Sequence, residues 1–388
     1  MHTSPLPPPH PDAAAHSQRL TRAIVQTINE AGGAIPFVKF MEQALYAPGL
    51  GYYSAGIRKF GADGDFITAP EISPLFSQCL ARQCQQILTD DNRIILEFGA
   101  GSGIMAAELL KELERLDCLP SQYLILEISA DLQQRQRETL QAQVPQLLER
   151  VQWLEHLPSE PLDGIILANE VLDAMPVQRF RLDEQGVSEF YVGLGDSKET
   201  PFVWQLLPTR DEALRSAVES LRPILPVGYV SEINFALPAW IQSVAEILAS
   251  GMVLLIDYGF PSREYFHPQR DQGTLMCHYR HHAHSEPLIL VGLQDITAHV
   301  NFTAVAEAAH AAGLHVSGYT DQAHFLLASG LPELLSALES SQNYLQQAQQ
   351  AKTLILPSEM GELFKVMALT RNLELSLLGF AKDERARL

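Results

Sequence analysis

The chain is poor in cysteine and in positive charge, and it lacks long apolar runs. Four cysteines are spread over 388 residues without a CxxC pair, which argues against a disulfide framework and favours reduced thiols in the cytoplasm. Only 27 Lys and Arg stand against 46 Asp and Glu, a net charge of −19. This balance argues against binding of nucleic acid, whose phosphates need cationic partners, and fits a basic or neutral protein partner. No apolar run reaches the ~18 residues of a membrane helix, so we expect no membrane insertion.

The first 92 residues are predicted to contain a tail and a helical part. Residues 1–16 are rich in proline and lack the apolar core of a secretory signal, so we expect them to be disordered. Residues 17–92 begin with Leu20, Ile24 and Ile28 at helical spacing, and a glycine pair ends this first helix. A later loop, GADGDFITAPEIS, is expected to fold over a bound cofactor.

From residue 93 the chain changes character. Apolar runs of strand length alternate with helical segments, which predicts an α/β core at 93–330 with a parallel sheet and helices on both faces. Three strand-like runs, RFRL, SEFYVGL and FVWQLL, interrupt this alternation and predict an inserted β-containing subdomain at about 178–232. Residues 331–388 are predicted to form a helical C-terminal part.

The most informative stretch is ILEFGAGSGIMAAELL, in which a strand-like run reaches Glu97 and a helix follows three glycines at alternate positions. Glycines at the end of a first parallel strand let the backbone approach a ligand closely. A phosphate-binding loop requires a Gly-Lys pair, which is missing, and a dinucleotide-binding turn requires a third glycine where Ile104 stands. The remaining pattern, ExGxGxG with Gly99, Gly101 and Gly103, is similar to motif I of class I S-adenosylmethionine-dependent methyltransferases. There the acidic residue and the glycines hold the amino-acid end of the cofactor.

Polar residues at two further strand ends complete the predicted ligand site. Glu127 ends the next strand, where a carboxylate offers about four lone-pair sites and accepts both ribose hydroxyls; a Glu facing solvent is the alternative. Asn169, Glu170 and Asp173 follow five apolar residues of a later strand and so face the crevice in which α/β folds bind ligands. For these three residues the alternative is an ordinary cap of the following helix.

Six motifs make a family resemblance specific. GDFITAPEIS, EFGAGSG, ANEVLDAMPVQRF, LLIDYG, DITAHVNF and EMGELFKVMAL occur in the order found in the MidA family, which includes the mitochondrial complex I assembly-factor methyltransferase and bacterial relatives. The similarity runs from about residue 17 to 375. It implies a class I methyltransferase core with a Rossmann-like sheet and S-adenosyl-L-methionine as cofactor. The mitochondrial member methylates arginine in a core subunit of respiratory complex I. The chain departs from the common family form at EFGAGSG, where ELGPGRG is usual, but the glycine spacing is preserved.

The resemblance and the chemistry of arginine together suggest catalytic residues. A guanidinium forms bidentate hydrogen bonds with carboxylates, so we expect Glu170 and Asp173, with Glu71 from the preceding loop, to hold the substrate. For the cofactor we expect Asn169 and a lid in addition to the residues above. The lid candidates are Asp65, Phe66, Thr68 and Pro70. A structural Asx-turn at the start of this loop is the alternative.

Two further stretches carry weaker signals. Asp257 and Tyr258, at the end of LLIDYG, are expected to line the substrate side, with simple packing as the alternative for Tyr258. The stretch CHYRHHAH places Cys277 and four histidines close together. No second ligand pair follows at zinc-finger spacing, and histidines three apart on a strand point to opposite faces. We therefore predict no metal site, and a polar strand and loop near the substrate mouth.

These observations predict an S-adenosylmethionine-dependent methyltransferase that modifies an arginine of a partner protein, with a complex I subunit as one candidate. A non-catalytic assembly factor that keeps the fold is the alternative from a different class. A dehydrogenase is a third alternative, against which Ile104 argues. The sequence leaves open whether the insertion at about 178–232 grips the target or pairs two copies into a homodimer.

Overall fold

The computed structural model describes residues 6–55, 68–89, 92–197 and 200–388. Its strands are β1 Ala34–Pro36, β2 Ile94–Phe98, β3 Gln122–Leu126, β4 Val151–Leu154, β5 Leu162–Asn169, β6 Gln178–Asp183, β7 Gly186–Leu194, β8 Phe202–Pro208, β9 Val230–Ile233, β10 Leu248–Phe260, β11 Met276–Tyr279, β12 His282–His284, β13 Asp295–Thr297, β14 Val300–Asn301, β15 His315–Asp321 and β16 Phe364–Arg371. Its α-helices are α1 Pro11–Glu30, α2 Phe37–Tyr46, α3 Ala69–Ile72, α4 Pro74–Gln85, α5 Ile104–Arg115, α6 Ala130–Gln143, α7 Glu212–Leu221, α8 Leu237–Ile247, α9 Ser262–Tyr265, α10 Phe302–Ala311, α11 Gln322–Ala328, α12 Leu331–Ala337 and α13 Tyr344–Ile355.

A central sheet forms the core, in the order β15-β16-β10-β5-β2-β3-β4, with the short β14 paired to the end of β10. The strands β4, β3, β2, β5 and β10 are parallel, whereas β16 lies antiparallel between β10 and β15. One apolar cluster packs α4, α5 and α11 to α13 on one face, and a second packs α8 and α10 on the other. Because both faces are buried, β5 and β10 are unbroken apolar runs. The predicted α/β fold with a Rossmann-like sheet is confirmed.

The order of the strands fixes where a ligand binds. The first parallel strand, β2, lies at the centre, with β3 and β4 on one side and β5 and β10 on the other. The chain therefore changes direction across the sheet at β2, and crevices at such switch points open at the carboxyl ends of the strands. The glycine turn follows β2 at this point, and Asn169 ends the neighbouring β5, directly before Glu170.

The C-terminal part differs from the prediction. Helices α12 and α13 occur as expected, but β16 is inserted into the central sheet between β10 and β15. The prediction of a helical part over 331–388 therefore holds for α12 and α13 and is wrong for β16, which extends the core sheet beyond residue 330. All residues of β16 except the last are buried, and a fully buried run has no alternation that would distinguish a strand from a buried helix.

The N-terminal helix is longer than predicted. It begins at Pro11, so the prediction of a disordered segment up to residue 16 is wrong for residues 11–16. The proline-rich stretch ends where the helix begins, and a first-turn proline is tolerated because its missing N–H would have no helical partner. His16 is buried, with its Nε2 atom 2.8 Å from the carbonyl oxygen of Leu50. The three apolar residues predicted to share a face are buried too.

The predicted insertion contains the expected strands as β6, β7 and β8, together with β9 and the helix α7. These strands form a second sheet in the order β1-β7-β6-β9. The strand β8 lies outside this order and pairs with β7. Because β1 comes from the N-terminal part, that part and the insertion share one sheet, and a third apolar cluster packs α1 and α2 against it. Within the described ranges, no helix combines the length and the apolar character that crossing a bilayer requires.

Candidate active site

A cavity of about 500 Å³ opens where β2, β3 and β5 end. We call the part formed by Glu97, the turn 99–103 and Glu127 the glycine end. The part formed by Asn169, Glu170, Tyr46 and Tyr53 is called the tyrosine end. All four of its residues line the same cavity as the glycine turn. A concave site with a few polar groups at a switch point is the usual place for a ligand.

The glycine turn adopts the backbone that its sequence predicts. The φ angles of Gly99, Gly101 and Gly103 are +60°, +54° and +82°, in the left-handed region that other residues rarely adopt. A Cβ atom on Gly103 would lie 3.0 Å from the Cα atom of Gln136, so this glycine also allows α6 to pack closely. Helix α5 begins directly after the turn, and its first N–H groups, which lack helical partners, adjoin the cavity.

A glutamine that sequence reasoning missed connects the turn to its surroundings. Gln136 is fully buried on α6, and its Nε2 atom donates to the carbonyl oxygen of Gly101 at 3.1 Å and to Oε2 of Glu127 at 3.2 Å. Its Oε1 atom accepts a hydrogen bond from the indole N–H of Trp153 at 2.9 Å. Gln136 therefore fixes the glycine turn and the second acidic residue relative to each other. A glutamine in mid-helix gives no signal from which this role could be predicted.

Two buried carboxylates flank the turn, as predicted. Glu97 is 1% exposed, and the hydroxyl of Tyr123 donates to its Oε2 atom over 2.7 Å. Burial raises the pKa of Glu97 to about 7, while the Tyr123 hydrogen bond lowers this pKa and the charge of Glu127 raises it. Glu127 is buried and accepts from the N–H of Ser129 at 2.9 Å. The alternative that Glu127 faces solvent is therefore wrong.

The predicted lid is described only in part. Thr68 and Pro70 line the cavity, and α3 begins directly after Thr68. Glu71 also lines the cavity, where its Oε1 atom accepts a hydrogen bond from the hydroxyl of Ser102 in the glycine turn. Glu71 is thus tied to the glycine end, which separates it from the other two predicted catalytic carboxylates. Asp65 and Phe66 lie outside the described residues.

At the tyrosine end the backbone itself is unusual. Glu170 follows the last residue of β5 with φ of +53°, a left-handed conformation that is rare for a residue other than glycine. Its N–H donates to the carbonyl oxygen of Ile256 at 2.8 Å, and the Asn169 amide donates to its Oε1 atom at 3.2 Å. Turns rather than a helix follow β5, so the helix-cap alternative is wrong. Strained backbone of this kind concentrates at functional sites.

Asp173 and Asp257 are buried behind the strained residue. Asp173 is 2% exposed and Asp257 1%, and neither is among the described residues that line the cavity. The Oδ2 atom of Asp257 accepts from the N–H groups of Leu172 at 2.9 Å and Asp173 at 3.3 Å, which fixes the loop after β5. Of the predicted pair Glu170 and Asp173, only Glu170 therefore lines the cavity. Asp173 lies behind it in the protein interior and influences the pKa of Glu170.

These three carboxylates raise each other's pKa. Burial and the charge of Asp173 raise the pKa of Glu170 to about 8, against hydrogen bonds from Asn169 and Tyr258 that lower it. Burial and the charge of Asp257 hold the pKa of Asp173 well above its usual range, and burial and Glu170 do the same for Asp257. No Lys or Arg within the described ranges forms an ion pair with any of the three. Crowded buried carboxylates without a cation are an arrangement that a cationic ligand stabilises.

Three tyrosines surround this cluster. The Tyr258 hydroxyl lies 3.4 Å from Oε2 of Glu170, to which it donates, and its ring packs edge-on against Phe364. Tyr258 therefore both contacts the predicted site and packs. Tyr46 and Tyr53, which sequence reasoning did not select, line the cavity, and their rings stack at 5.5 Å with 21° between their planes. Burial raises the pKa of both phenols, so they are neutral.

The histidine-rich stretch forms a hairpin, and its first strand, β11, also pairs with β13. Strands β11 and β12 pair antiparallel, with Cys277 opposite His284, and two left-handed residues, Arg280 and His281, make the turn. None of these side chains is among the described residues that line the cavity, and a place near the substrate mouth stays a prediction. Across the described ranges, no three His, Cys, Asp or Glu residues are grouped so that they could hold a metal ion.

The cavity fits S-adenosylmethionine. The glycine turn brings backbone close to the ligand, and Glu97 supplies a carboxylate for the cationic amino-acid end. The Oδ1 atom of Asn169 is buried and has no hydrogen-bond partner among the described residues, and a buried acceptor of this kind requires a donor from a ligand or a water. Glu127 lines the cavity at the end of β3, where a ribose would lie.

Comparison with known proteins agrees with this geometry. The model of a family of S-adenosyl-L-methionine-dependent methyltransferases matches residues 79–320, more than half of the chain, and the chain therefore belongs to this family. A protein from Burkholderia thailandensis, crystallised with bound S-adenosylhomocysteine, is 46% identical to it. The two structures superpose with a TM-score of 0.94 over 99% of this chain and 100% of that one. The predicted family, the methyltransferase activity and the cofactor are confirmed.

Two curated relatives are more distant in sequence. The mitochondrial protein arginine methyltransferase NDUFAF7 of Danio rerio is 27% identical, over 89% of this chain and 86% of its own length. The Drosophila melanogaster homologue with the same description is 29% identical, over 87% of this chain and 82% of its own length. Each of these matches covers a larger share of the chain than the residues 79–320 of the family model.

Proposed function

We propose that this chain methylates a guanidinium nitrogen of an arginine in a partner protein, and that a subunit of respiratory complex I is a candidate for that partner. The observation that carries this proposal is the set of three carboxylates at and behind the tyrosine end, Glu170, Asp173 and Asp257. Burial and their mutual repulsion raise their pKa values, so a cation would favour their ionised form, and a guanidinium is a cation whose planar fork of donors matches a carboxylate. The names of the curated relatives as protein arginine methyltransferases support the same acceptor.

The two ends of the cavity have different roles in the proposed reaction. S-adenosylmethionine, when bound, supplies an electrophilic methyl group on its sulfonium. Glu170, the one carboxylate of the three that lines the cavity, binds the guanidinium and turns one nitrogen towards the glycine end. A guanidinium is a poor nucleophile while it keeps all its protons, and the transfer releases one proton to a base. With its raised pKa, Glu170 is suited to accept that proton, and Asn169 and Tyr258 hold its two oxygens.

The test uses the purified full chain, labelled S-adenosylmethionine and an extract of cells whose gene for this chain is deleted. Mass spectrometry then detects methylarginine. We expect the wild type to produce it and Glu170→Gln to lose at least about a hundredfold of the activity, because one charge-assisted contact to the acceptor disappears. Titration calorimetry with S-adenosylhomocysteine is the control, and both proteins should bind it equally.

The possible results separate the alternatives. Methylarginine made by the wild type and lost in Glu170→Gln, at unchanged S-adenosylhomocysteine affinity, supports the proposal. Methylation of another residue type overturns the choice of arginine. S-adenosylhomocysteine binding without any methylation of the extract favours the non-catalytic assembly factor.

We also propose a cytoplasmic location from the free cysteines, which cell fractionation with an antibody would check.

A further inference from the structure

The N-terminal part contributes two aromatic rings to the cavity. Tyr46 ends α2, and Tyr53 follows after a short turn; both lie outside residues 79–320, which the family model matches. The turn is tight because the N–H of Tyr53 donates to the carbonyl oxygen of Leu45 at 2.8 Å. A Cβ atom on Gly51 would lie only 2.5 Å from the backbone nitrogen of Ala47, so this position requires glycine. The turn therefore holds the two rings in fixed positions.

Both hydroxyls are committed to neighbouring elements. Tyr46 donates to the carbonyl oxygen of Ala174 at 2.9 Å, in the loop that carries Glu170 and Asp173. Tyr53 donates to Oδ1 of Asp295 at 2.9 Å. With the hydroxyls anchored in this way, the surface that the pair offers to the cavity is mainly ring surface. The cavity as a whole is lined mostly by apolar surface around a small number of polar groups.

Several carboxyl groups lie close to the rings. The charges of Asp173 and Asp295 act on both phenols, and Glu170 lines the same cavity. A cation that binds between a carboxylate and a neutral aromatic ring gains two interactions. One is with the carboxylate charge, and the other is with the negative face of the ring. Arginine uses this combination more often than lysine, because its flat guanidinium stacks on a ring while its edge bonds to a carboxylate.

We infer that Tyr46 and Tyr53 form the aromatic wall of the acceptor subsite, on which the guanidinium stacks while Glu170 binds its edge. This inference rests on the proposed function and deepens it, because it gives the N-terminal part a direct role in substrate binding. The wall excludes water from the acceptor side and fixes the plane of the guanidinium. Tyr46 and Tyr53 thus select a flat cation over a neutral group of the same shape.

The test compares two small probes of equal shape, ethylguanidinium, which is a cation, and ethylurea, which is neutral. Each is titrated by NMR into the full chain saturated with S-adenosylhomocysteine. We expect the wild type to prefer ethylguanidinium. Tyr46→Phe and Tyr53→Phe keep the ring and should retain this preference. Tyr46→Met and Tyr53→Met fill similar space without a ring and should reduce it about fivefold to thirtyfold, the range for a desolvated cation–π contact.

Controls keep a structural effect apart from a binding effect. All variants should bind S-adenosylhomocysteine with wild-type affinity by calorimetry; if a Met variant does not, Tyr46→Leu and Tyr53→Leu replace it. Equal loss of preference in the Phe and Met variants overturns the aromatic wall, since the hydroxyl and not the ring would then matter. An unchanged preference in the Met variants, or no preference in the wild type, overturns it as well. The methylarginine measurement on the wild type remains independent and decides the proposed function separately.

Discussion

The two ends of the cavity are built in different ways. At the glycine end, the protein itself supplies hydrogen-bond partners, with Tyr123 on Glu97 and Gln136 on the turn and on Glu127. At the tyrosine end, carboxyl groups with raised pKa values are crowded together, and the acceptor oxygen of Asn169 has no partner among the described residues. The first end thus has its hydrogen-bond partners before a ligand arrives, whereas the described residues give the second neither a cation nor a donor to the Asn169 oxygen.

This difference has a physical consequence for function. A prearranged glycine end binds its cofactor without first changing shape, which lowers the ordering cost of binding. At the tyrosine end, burial and crowding hold the pKa values of the carboxyl groups high, and a cationic acceptor would favour their ionised form. The predictions below test whether the two ends respond separately, beginning with the largest expected effect.

The largest effect is expected at the glycine end. Gly101→Val places a β-branched residue at φ of +54° next to the cavity, so we expect S-adenosylhomocysteine binding to fall by more than about a hundredfold. Gly32→Val is the matched control, because Gly32 has φ of +86°, nothing lies within 4 Å of its added Cβ, and it lies outside the cavity. Both substitutions cost about 1–2 kcal/mol of stability through backbone strain.

Calorimetry and thermal unfolding of both variants check this prediction. Loss of binding in Gly101→Val alone, at a similar fall in Tm, assigns the effect to the cavity. If Gly32→Val loses binding to the same extent, general destabilisation is the cause and the glycine turn has no special role.

The second effect is a pH dependence of cofactor binding. Glu97 has a pKa of about 7 and must be ionised to hold an ammonium group, so affinity should fall as the pH falls through about 7. We expect the Kd for S-adenosylhomocysteine to rise by about tenfold between roughly pH 8 and pH 6. Glu97→Gln cannot ionise, so its binding should be weaker at high pH and nearly independent of pH. A wild-type Kd that does not change over this range would contradict the prediction.

The sequence predicted the glycine end better than the tyrosine end, for a physical reason. Gly99, Gly101 and Gly103 are constrained by their own backbone, so their spacing reveals the turn. Gln136 and Tyr46 gain their roles only through packing of segments that are distant in the chain, and no local pattern encodes such contacts. The core sheet was predictable from the alternation of strands and helices. The buried β16 and the shared strand β1 were not, because one lacks periodicity and the other has only three residues.

The third prediction concerns the stability of Glu170→Gln. We expect this substitution to raise stability at high pH although it lowers activity. The pKa of Glu170 is raised to about 8, so between its ordinary range and about pH 8 the folded state holds a proton that the unfolded state releases. Stability therefore falls as the pH rises through this window. Glu170→Gln removes the charge, and we expect its Tm to exceed that of the wild type by a few degrees at about pH 8.5 and by little at about pH 5.

Differential scanning calorimetry at the two pH values measures this effect. Asp173→Ala is not a suitable control because it opens a cavity, whereas Glu307→Gln, an exposed residue on α10, should leave Tm unchanged at both pH values. A Glu170→Gln protein that is less stable than the wild type at about pH 8.5 would show that the carboxylate is ionised and satisfied in the free protein.

The smallest effect is expected for Glu71, and it decides to which end this residue belongs. Its carboxylate accepts a hydrogen bond from the hydroxyl of Ser102 in the glycine turn, and that hydroxyl lies 3.4 Å from the N–H of Ile104 at the start of α5. Glu71→Gln keeps the shape and a weaker acceptor, so we expect the Kd for S-adenosylhomocysteine to rise only about twofold to tenfold. The KM for the arginine acceptor should not change. If the acceptor KM rises while cofactor binding is unaffected, Glu71 acts with Glu170 on the substrate, and the division of the cavity into two ends fails at this residue.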